Sequence, residues 1–506
     1  MRSIISFLLV TLVLTTSLFA QSKQKHPNVL FIAIDDINDW IGPLGGNKQA
    51  ITPNMDKFYN NGAMVFKNAV CAAPICGPSR SAILSGFLPS TSGIYGNGHD
   101  MTFSDVVKRN ATLPEYFSKN GYHTLSNGKI FHKHGTKNGF TDFGAWAYDE
   151  FARGRRYNND KADSEYVTSG KSGIINGVKN PDFKEKNCKL SWGPTKDNFE
   201  ETVDYAVADW AKNQLERDFD KPFFMSVGFI KPHLPWFVPK EFFDMYDLNK
   251  LEAPKVNEKD LDDILNKKGL PEFKATDEYK WVKKHGLEKE ATRAYLASIS
   301  FADACLGMVL DALEKSGHAD NTIVMLWGDH GWHLGEKMRY KKSTLWAEVV
   351  HTPLLVKLPG MKKGHISNKT VSLLDMYPTL VSLCNLPKKK NIEGRDFSIL
   401  LKNTKSNWDY PGITVSASGT SVVTPQLHYI SYLSGTEELY DVVKDPLEIK
   451  NLINNKNYKK EIQKLKKFVP LNRVQAKKEH YDKPKNYVDA DQDPSIKLGR
   501  DLNKLQ

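Results

Sequence analysis

Residues 76 to 86 read Cys76-Gly77-Pro78-Ser79-Arg80-Ser81-Ala82-Ile83-Leu84-Ser85-Gly86, and the order of types points to chemistry. Proline suits the first turn of a helix and glycine its end, so the spacing predicts a short helix that begins at the cysteine. At a helix N-terminus, free N–H groups and the dipole favour an anion. Arg80 adds a permanent positive charge with planar, bidentate geometry suited to a tetrahedral oxyanion. An electropositive setting of this kind activates a cysteine. A lone cysteine beside an arginine is more often a buried thiol next to a surface charge. Five well-placed residues in one short stretch favour the reactive reading.

Other residues offer complementary chemistry. Asp35 and Asp36 are adjacent carboxylates that would repel, and a hard divalent cation resolves the conflict because oxygen ligands suit calcium or magnesium. Asp329-His330 offers further ligands from a distant part of the chain. In Gly128-Lys129-Ile130-Phe131-His132, the lysine and histidine share a face if the segment is helical. A lysine there can hold an anion as a point charge, and a histidine can move protons near neutral pH. Lys231-Pro232-His233 and Lys342 add another histidine and another cation.

The elements that must position these groups are legible as apolar runs. Asn28 to Ile34, Pro222 to Phe229 and Thr322 to Trp327 read as buried parallel strands, and each leads at its C-terminal end into one of these polar groups. In open α/β sheets that edge is where ligands bind. Helical patterns lie at Leu113 to Asn120, Phe199 to Leu215, Arg293 to Ser316 and Leu373 to Leu383. The main domain is therefore expected to be α/β with helices on both faces. Residues 149–195 and 247–292 read as polar insertions over the sheet edge. Pro387 to Lys390 reads as a linker, with short strands after it at Ile413 to Ser416 and His428 to Leu433. These runs divide the chain into a leader at 1–20, a catalytic α/β domain at 21–386, a small α+β subdomain at 387–472 and a polar tail at 473–506.

A chain of 506 residues is too long for one small core, and 25% charged with 40% hydrophobic residues is an ordinary globular balance. Arg2 and the apolar run from Ile4 to Ala20 predict a secretory signal peptide, hence a periplasmic or secreted protein that begins near Gln21. No later segment reads as long enough in apolar residues to span a membrane, and no cysteine stands after the leader to carry a lipid. The five cysteines, Cys71, Cys76, Cys188, Cys305 and Cys384, are too few for a disulfide scaffold. A net charge of +11 suits a polyanionic partner, although lysine-rich surfaces also serve solubility alone. Nucleic acid is a poor candidate, since no binding module is recognisable.

The pattern Cys-x-Pro-Ser-Arg with Leu-Ser-Gly after it resembles the signature of the type I sulfatases, in which the cysteine is oxidised after translation to formylglycine. The resemblance extends over roughly residues 27 to 455. It implies an alkaline-phosphatase-like sulfatase fold: a large mixed sheet flanked by helices, plus a small C-terminal α+β subdomain. It also implies one Ca2+ ion held by Asp35, Asp36, Asp329, His330 and the modified Cys76, and a formylglycine-generating or anaerobic sulfatase-maturating enzyme as partner. Histidine rather than asparagine at 330, and the run Gly331-Trp332-His333-Leu334-Gly335-Glu336, are similar to the iduronate-2-sulfatase branch. Glu438-Leu439-Tyr440-Asp441 with Asp445-Pro446 resembles the closing hairpin of bacterial sulfatases.

The family's mechanism can then be carried over position by position. The hydrate of the aldehyde at 76 attacks sulfur, Lys129 and Lys342 bind the sulfate with Arg80 adding charge, His233 protonates the leaving alcohol, and His132 deprotonates the second hydroxyl to expel sulfate. Lys341, next to Lys342, leaves that assignment open by one. Asn97, His99, His333 and Arg155 are candidate sugar contacts, with a structural role equally open to His333. The implied activity is hydrolysis of sulfate esters on a sulfated polysaccharide or its oligosaccharides, with a 2-O-sulfated uronic acid of ulvan or glycosaminoglycan type favoured. The alternative is a phosphatase or phosphonate hydrolase of the same superfamily.

Overall fold

The apolar runs become the centre of one sheet. A computed structural model describes residues 26–132, 149–152, 174–176, 178–179 and 190–476. The predicted leader, Arg155, Cys188 and the tail beyond residue 476 lie outside the described residues. In chain order the main strands are β1 (Asn28–Ile34), β2 (Met64–Val70), β3 (His123–Gly128), β4 (Glu150–Ala152), β5 (Phe223–Phe229), β6 (Thr322–Gly328), β7 (Leu354–Lys357) and β8 (His365–Ser372). They lie side by side in the order β8-β2-β7-β6-β1-β5-β3-β4. Within this set β7 runs antiparallel to both its neighbours, and the other pairings are parallel, so the sheet is mixed.

The principal helices are α1 (Pro53–Asn60), α2 (Cys76–Ser85), α3 (Leu113–Lys119), α4 (Val203–Leu215), α5 (Glu288–Lys315), α6 (Met376–Leu383) and α7 (Lys459–Lys466). The absence of polar alternation in β1 has a direct cause, because both sheet faces are covered. Leu30, Ile32 and Ile34 pack with Val207 and Ala211 of α4 and Leu296 and Ile299 of α5. Val29, Phe31 and Ala33 point the other way, to Ile83 of α2, Phe117 of α3 and Leu380 of α6. Burying a side chain such as Phe31 in full contributes about 1.5–3 kcal/mol.

By length and composition alone α5 could cross a membrane. Its apolar residues instead line the sheet, with Ala294, Leu296, Ile299 and Leu306 fully buried. The charged stretch 247–292 is also fastened more firmly than its composition suggests, since Leu251, Leu261, Ile264, Tyr279 and Val282 join the same core. After Pro387 the chain stays with the main core through Phe397, Leu400 and Trp408. It then forms an antiparallel sheet of β9 (Gly412–Val415), β10 (Gly419–Val423), β11 (Leu427–Tyr432) and β12 (Glu437–Asp441), against which α7 packs Ile462 and Leu465.

The topology also positions the chemistry. β6, β1, β5 and β3 are consecutive and parallel, and their last residues are in register: Ile34 with Gly328 and Phe229, and Gly128 with Gly228. The segments that leave the ends of these four strands must therefore emerge at one edge.

Candidate active site

The segments at that edge carry Asp35-Asp36, Lys129, Lys231-Pro232-His233 and Asp329-His330. Cys76 joins them as the first residue of α2, after an extended Ile75, and Gly86 ends the helix in the left-handed conformation at φ 81°. The expected cysteine-headed helix is present, with all ten of its residues buried.

Distances define the cluster around Cys76 Sγ. Lys342 Nζ lies 2.9 Å away, His330 Nε2 3.3 Å and Asp36 Oδ1 3.4 Å. The Lys129 ammonium pairs with Asp35, and the Lys342 ammonium pairs with Asp36. His132 hydrogen-bonds the thiol. His233 Nε2 stands 3.7 Å from Asp36 Oδ2. Asp35, Asp36, Arg80 and His330 are wholly enclosed, whereas the side chains of Lys129 and Lys342 are each 12% exposed and that of His233 is 29% exposed. A ligand therefore meets the two lysines and His233 first.

The backbone at Asp36 is strained and held in place. Its φ of 60° is in the left-handed region, the kind of conformation that persists only where surroundings impose it. The Asp36 N–H donates to Asp329 Oδ1 at 3.0 Å, and its carbonyl accepts from Tyr295 Oη at 2.8 Å. Tyr295 in turn accepts from the Asn38 N–H at 3.0 Å. Sequence reading missed this tyrosine, which sits in an apolar stretch of α5 that carries no chemical signal.

The electrostatics follow from burial and proximity. Burial disfavours the Cys76 thiolate, but Lys129, Lys342 and His330 outweigh it and hold the thiol well below its ordinary range. Burial and Cys76 push Asp35 up, yet Lys129 and Arg80 prevail and hold it below the usual carboxylate range. Burial raises Asp36. Burial and Asp35 push Asp329 up to about 7. Against burial, Asp329 and Cys76 raise His330 to about 9.

The donor set fits a hard divalent cation. Asp35, Asp36, Cys76 and His233, and likewise Asp36, Cys76, Asp329 and His330, each present one ligand atom within 4.8 Å of the others. Asp36 Oδ2 is buried and has no hydrogen-bond partner among the described residues, as expected of an oxygen reserved for a metal.

Several expected residues play different parts from those read in sequence. Arg80 does not reach outward to an anion. Its Nε donates to Asp329 Oδ2 at 2.8 Å, Nη2 to Asp35 Oδ1 at 3.1 Å and Nη1 to the carbonyls of Ile130 (3.0 Å) and Lys129. It stacks over Trp327 at 5.4 Å and has no exposed surface. A guanidinium so engaged bridges two buried carboxylates.

Residues 129–132 are not helical but form an irregular bend after β3, so the one-face argument for Lys129 and His132 fails. They converge because Gly128, at φ 78°, turns the chain against the Gly228 carbonyl, where a Cβ would overlap the oxygen. Gly128→Ala should cost about 1–3 kcal/mol in urea unfolding through this strain and displace Lys129.

Lys342 is distinguished from its neighbour, because Lys341 turns away to pair with Glu278. Asn97 Oδ1 accepts the Gly77 N–H at 2.8 Å, one residue from Cys76. His99 is buried, its Nδ1 accepting the Tyr95 N–H at 2.9 Å inside its own loop. His333 has no exposed surface and cannot face a sugar here; its Nε2 lies 2.7 Å from Thr344 Oγ1. Arg155 lies outside the described residues. The described cysteines, Cys71, Cys76, Cys305 and Cys384, are all free.

Comparison with known proteins agrees with this geometry. A sulfatase family model matches residues 27–386, and a model described as N-sulphoglucosamine sulphohydrolase, C-terminal, matches residues 328–477. A sulfatase of Formosa agariphila is 35% identical over 461 residues, 89% of this chain and 87% of that protein. The iduronate 2-sulfatase of Mus musculus is 27% identical over 402 residues, 71% of this chain and 69% of that protein. Among solved structures, a 2-O GAG sulfatase superposes with a TM-score of 0.62 at 19% identity, covering 88% of this chain and 91% of that one. The phosphonate monoester hydrolase of Agrobacterium radiobacter does so at 0.68 and 18%, covering 87% and 94%. These superpositions identify the alkaline-phosphatase-like sulfatase fold, and with the family match over most of its length the chain belongs to the sulfatase family and is a sulfuric ester hydrolase.

Proposed function

We propose that this sulfatase removes sulfate from sulfated saccharides, a 2-O-sulfated uronic acid being the favoured group, with Cys76 converted to formylglycine and Ca2+ as the cation. The observation that carries the reading is Cys76 Sγ held at a helix start between Lys342 Nζ, His330 Nε2 and Asp36 Oδ1. The iduronate 2-sulfatase relative supports the uronic acid.

Formylglycine at position 76 supplies, as its hydrate, one hydroxyl to attack sulfur and a second to release sulfate. Asp35, Asp36, Asp329 and His330 would hold the cation, which supplies Lewis-acid polarisation of a sulfate oxygen. Lys129 and Lys342 neutralise the non-bridging oxygens. Such preorganised charge is often the largest catalytic contribution. His132, hydrogen-bonded at position 76, takes the proton of the second hydroxyl. His233, the most exposed of these groups, donates a proton to the leaving alcohol.

His233→Ala should lower kcat by about 10²–10⁴-fold on a sugar sulfate and far less on nitrophenyl sulfate, whose leaving group needs little protonation. An equal loss on both esters would remove His233 from the acid role. Dialysis against a chelator should abolish activity and lower the melting temperature, because buried carboxylates lose their counter-ion, and calcium should restore both. Full activity after chelation would exclude a required cation.

Export is part of the proposal, on the strength of the basic and apolar leader at 1–20. N-terminal sequencing of protein from the native host should begin near Gln21. The decisive assay presents a panel of sulfated oligosaccharides, nitrophenyl sulfate and the matching phosphate esters to one purified sample co-expressed with a maturating enzyme. Preference for a 2-O-sulfated uronate supports the reading. Turnover of phosphate esters alone would favour the phosphatase or phosphonate hydrolase alternative.

A further inference from the structure

The run Gly331-Trp332-His333-Leu334-Gly335-Glu336 comes directly after the metal-ligand pair Asp329-His330, and no step of the mechanism uses it. In the structure it is the outgoing arm of a hairpin whose return arm delivers Lys342. His333 pairs with Lys341, and Leu334 with Tyr340, in a short antiparallel ladder. One hairpin thus spaces His330 from Lys342.

The return arm is not held by local preference. Lys341 and Ser343, the neighbours of Lys342 on either side, have φ of 78° and 76°. Residues other than glycine are rarely found there, at about 1–3 kcal/mol each, so the conformation must be imposed from outside. Three tethers do so. Lys341 pairs with Glu278. The Ser343 N–H donates to the Pro74 carbonyl at 2.9 Å, joining this arm to the loop that leads into Cys76. The third is the 2.7 Å hydrogen bond between Thr344 Oγ1 and His333 Nε2.

His333 is well placed to be the rigid end of that bond. It has no exposed surface, and its ring lies edge-on to Trp346 at 6.1 Å. Trp346 is itself anchored to the C-terminal subdomain by Nε1 donating to Glu438 Oε2 at 2.9 Å. Burial pushes the His333 imidazole down to about 3, so it remains neutral at working pH. Trp332, the preceding residue, lies beneath the Lys342 ammonium, 5.2 Å from Nζ to ring centroid.

We propose that His333 is a positioning residue for sulfate-ester hydrolysis: its buried imidazole tethers Thr344 and so fixes the Lys342 ammonium beside position 76. The inference rests on the proposed role of Lys342. It replaces the sugar contact expected of His333 with an action through another residue.

The test uses Thr344→Val, which removes the hydroxyl at constant shape, and Thr344→Ser, which keeps it. Kinetics are measured on the sulfate ester that the wild-type protein turns over best. T344V should lower kcat/KM by about 10-fold to 10²-fold, the scale of a misplaced catalytic charge, and T344S should restore most of it. His333→Phe should match T344V. If H333F folds poorly, the two threonine variants carry the test alone.

Lys342→Ala supplies the readout that a merely structural role would not move. In that background T344V should have no further effect, because there is no ammonium left to position. Wild-type kcat/KM in T344V, or an undiminished loss in the K342A background, overturns the tether while leaving the site reading intact. Unchanged hydrolysis in K342A itself overturns the site reading, and the tether with it.

Discussion

Cys76→Ser and Cys76→Ala should each lower kcat by about 10⁴-fold or more, the scale seen when a covalent nucleophile is removed. Serine is the informative variant. It keeps a hydroxyl at the head of α2, beside Lys342 Nζ and His330 Nε2, so the electrostatic setting survives. It lacks a second hydroxyl on the same carbon to expel sulfate, so at most a single turnover should remain. On the proposed mechanism, unmodified Cys76 should likewise be inactive despite its lowered pKa. Protein made without a maturating enzyme should fold, bind the cation and fail to turn over. Intact-mass analysis of the peptide containing residue 76 should show replacement of thiol by aldehyde only in active samples. Sustained turnover by the serine variant, or an unmodified thiol in fully active protein, would sink the formylglycine assignment.

Arg80→Met should destabilise the protein by about 3–5 kcal/mol in urea unfolding, since it takes the guanidinium from buried Asp329 and leaves buried Asp35 with Lys129 alone. Arg80→Lys isolates geometry from charge. A single ammonium cannot span both carboxylates while also donating to the carbonyls of Lys129 and Ile130, which the guanidinium fork does at once. The lysine variant should therefore keep much of the stability and lose kcat by about 10²-fold, as carboxylates and Lys129 shift from their productive positions. KM should change little, because Arg80 has no exposed surface with which to touch substrate. A raised KM at unchanged kcat would mean that Arg80 contacts the sulfate after all.

Much of the site was legible because parallel sheets impose a simple rule. A strand buried on both faces shows as an unbroken apolar run, and the residues just beyond its end lie at the ligand-binding edge. Asp35-Asp36, His233 and Asp329-His330 could be gathered on that rule alone, from β1, β5 and β6. Cys76 was legible for a different reason, as helix starts have local signals that proline and glycine punctuate. Lys129 and His132 do reach the cluster, but a tight turn at Gly128, and no helix, brings them together.

Family membership, the strands that lead into the cluster and the residue types in it could all be read from the amino-acid order, because each depends on contiguous residues. The charge that each residue meets depends on the folded chain. Arg80 finds Asp329 at a separation of 249 positions, and Lys342 finds Cys76 at 266. That pairing turned Arg80 from an anion contact into a carboxylate bridge, chose Lys342 over Lys341 and withdrew His333 from solvent. Burial makes such choices decisive: a charge or ring enclosed in the core must satisfy its partners in three dimensions, and no local pattern records who they are.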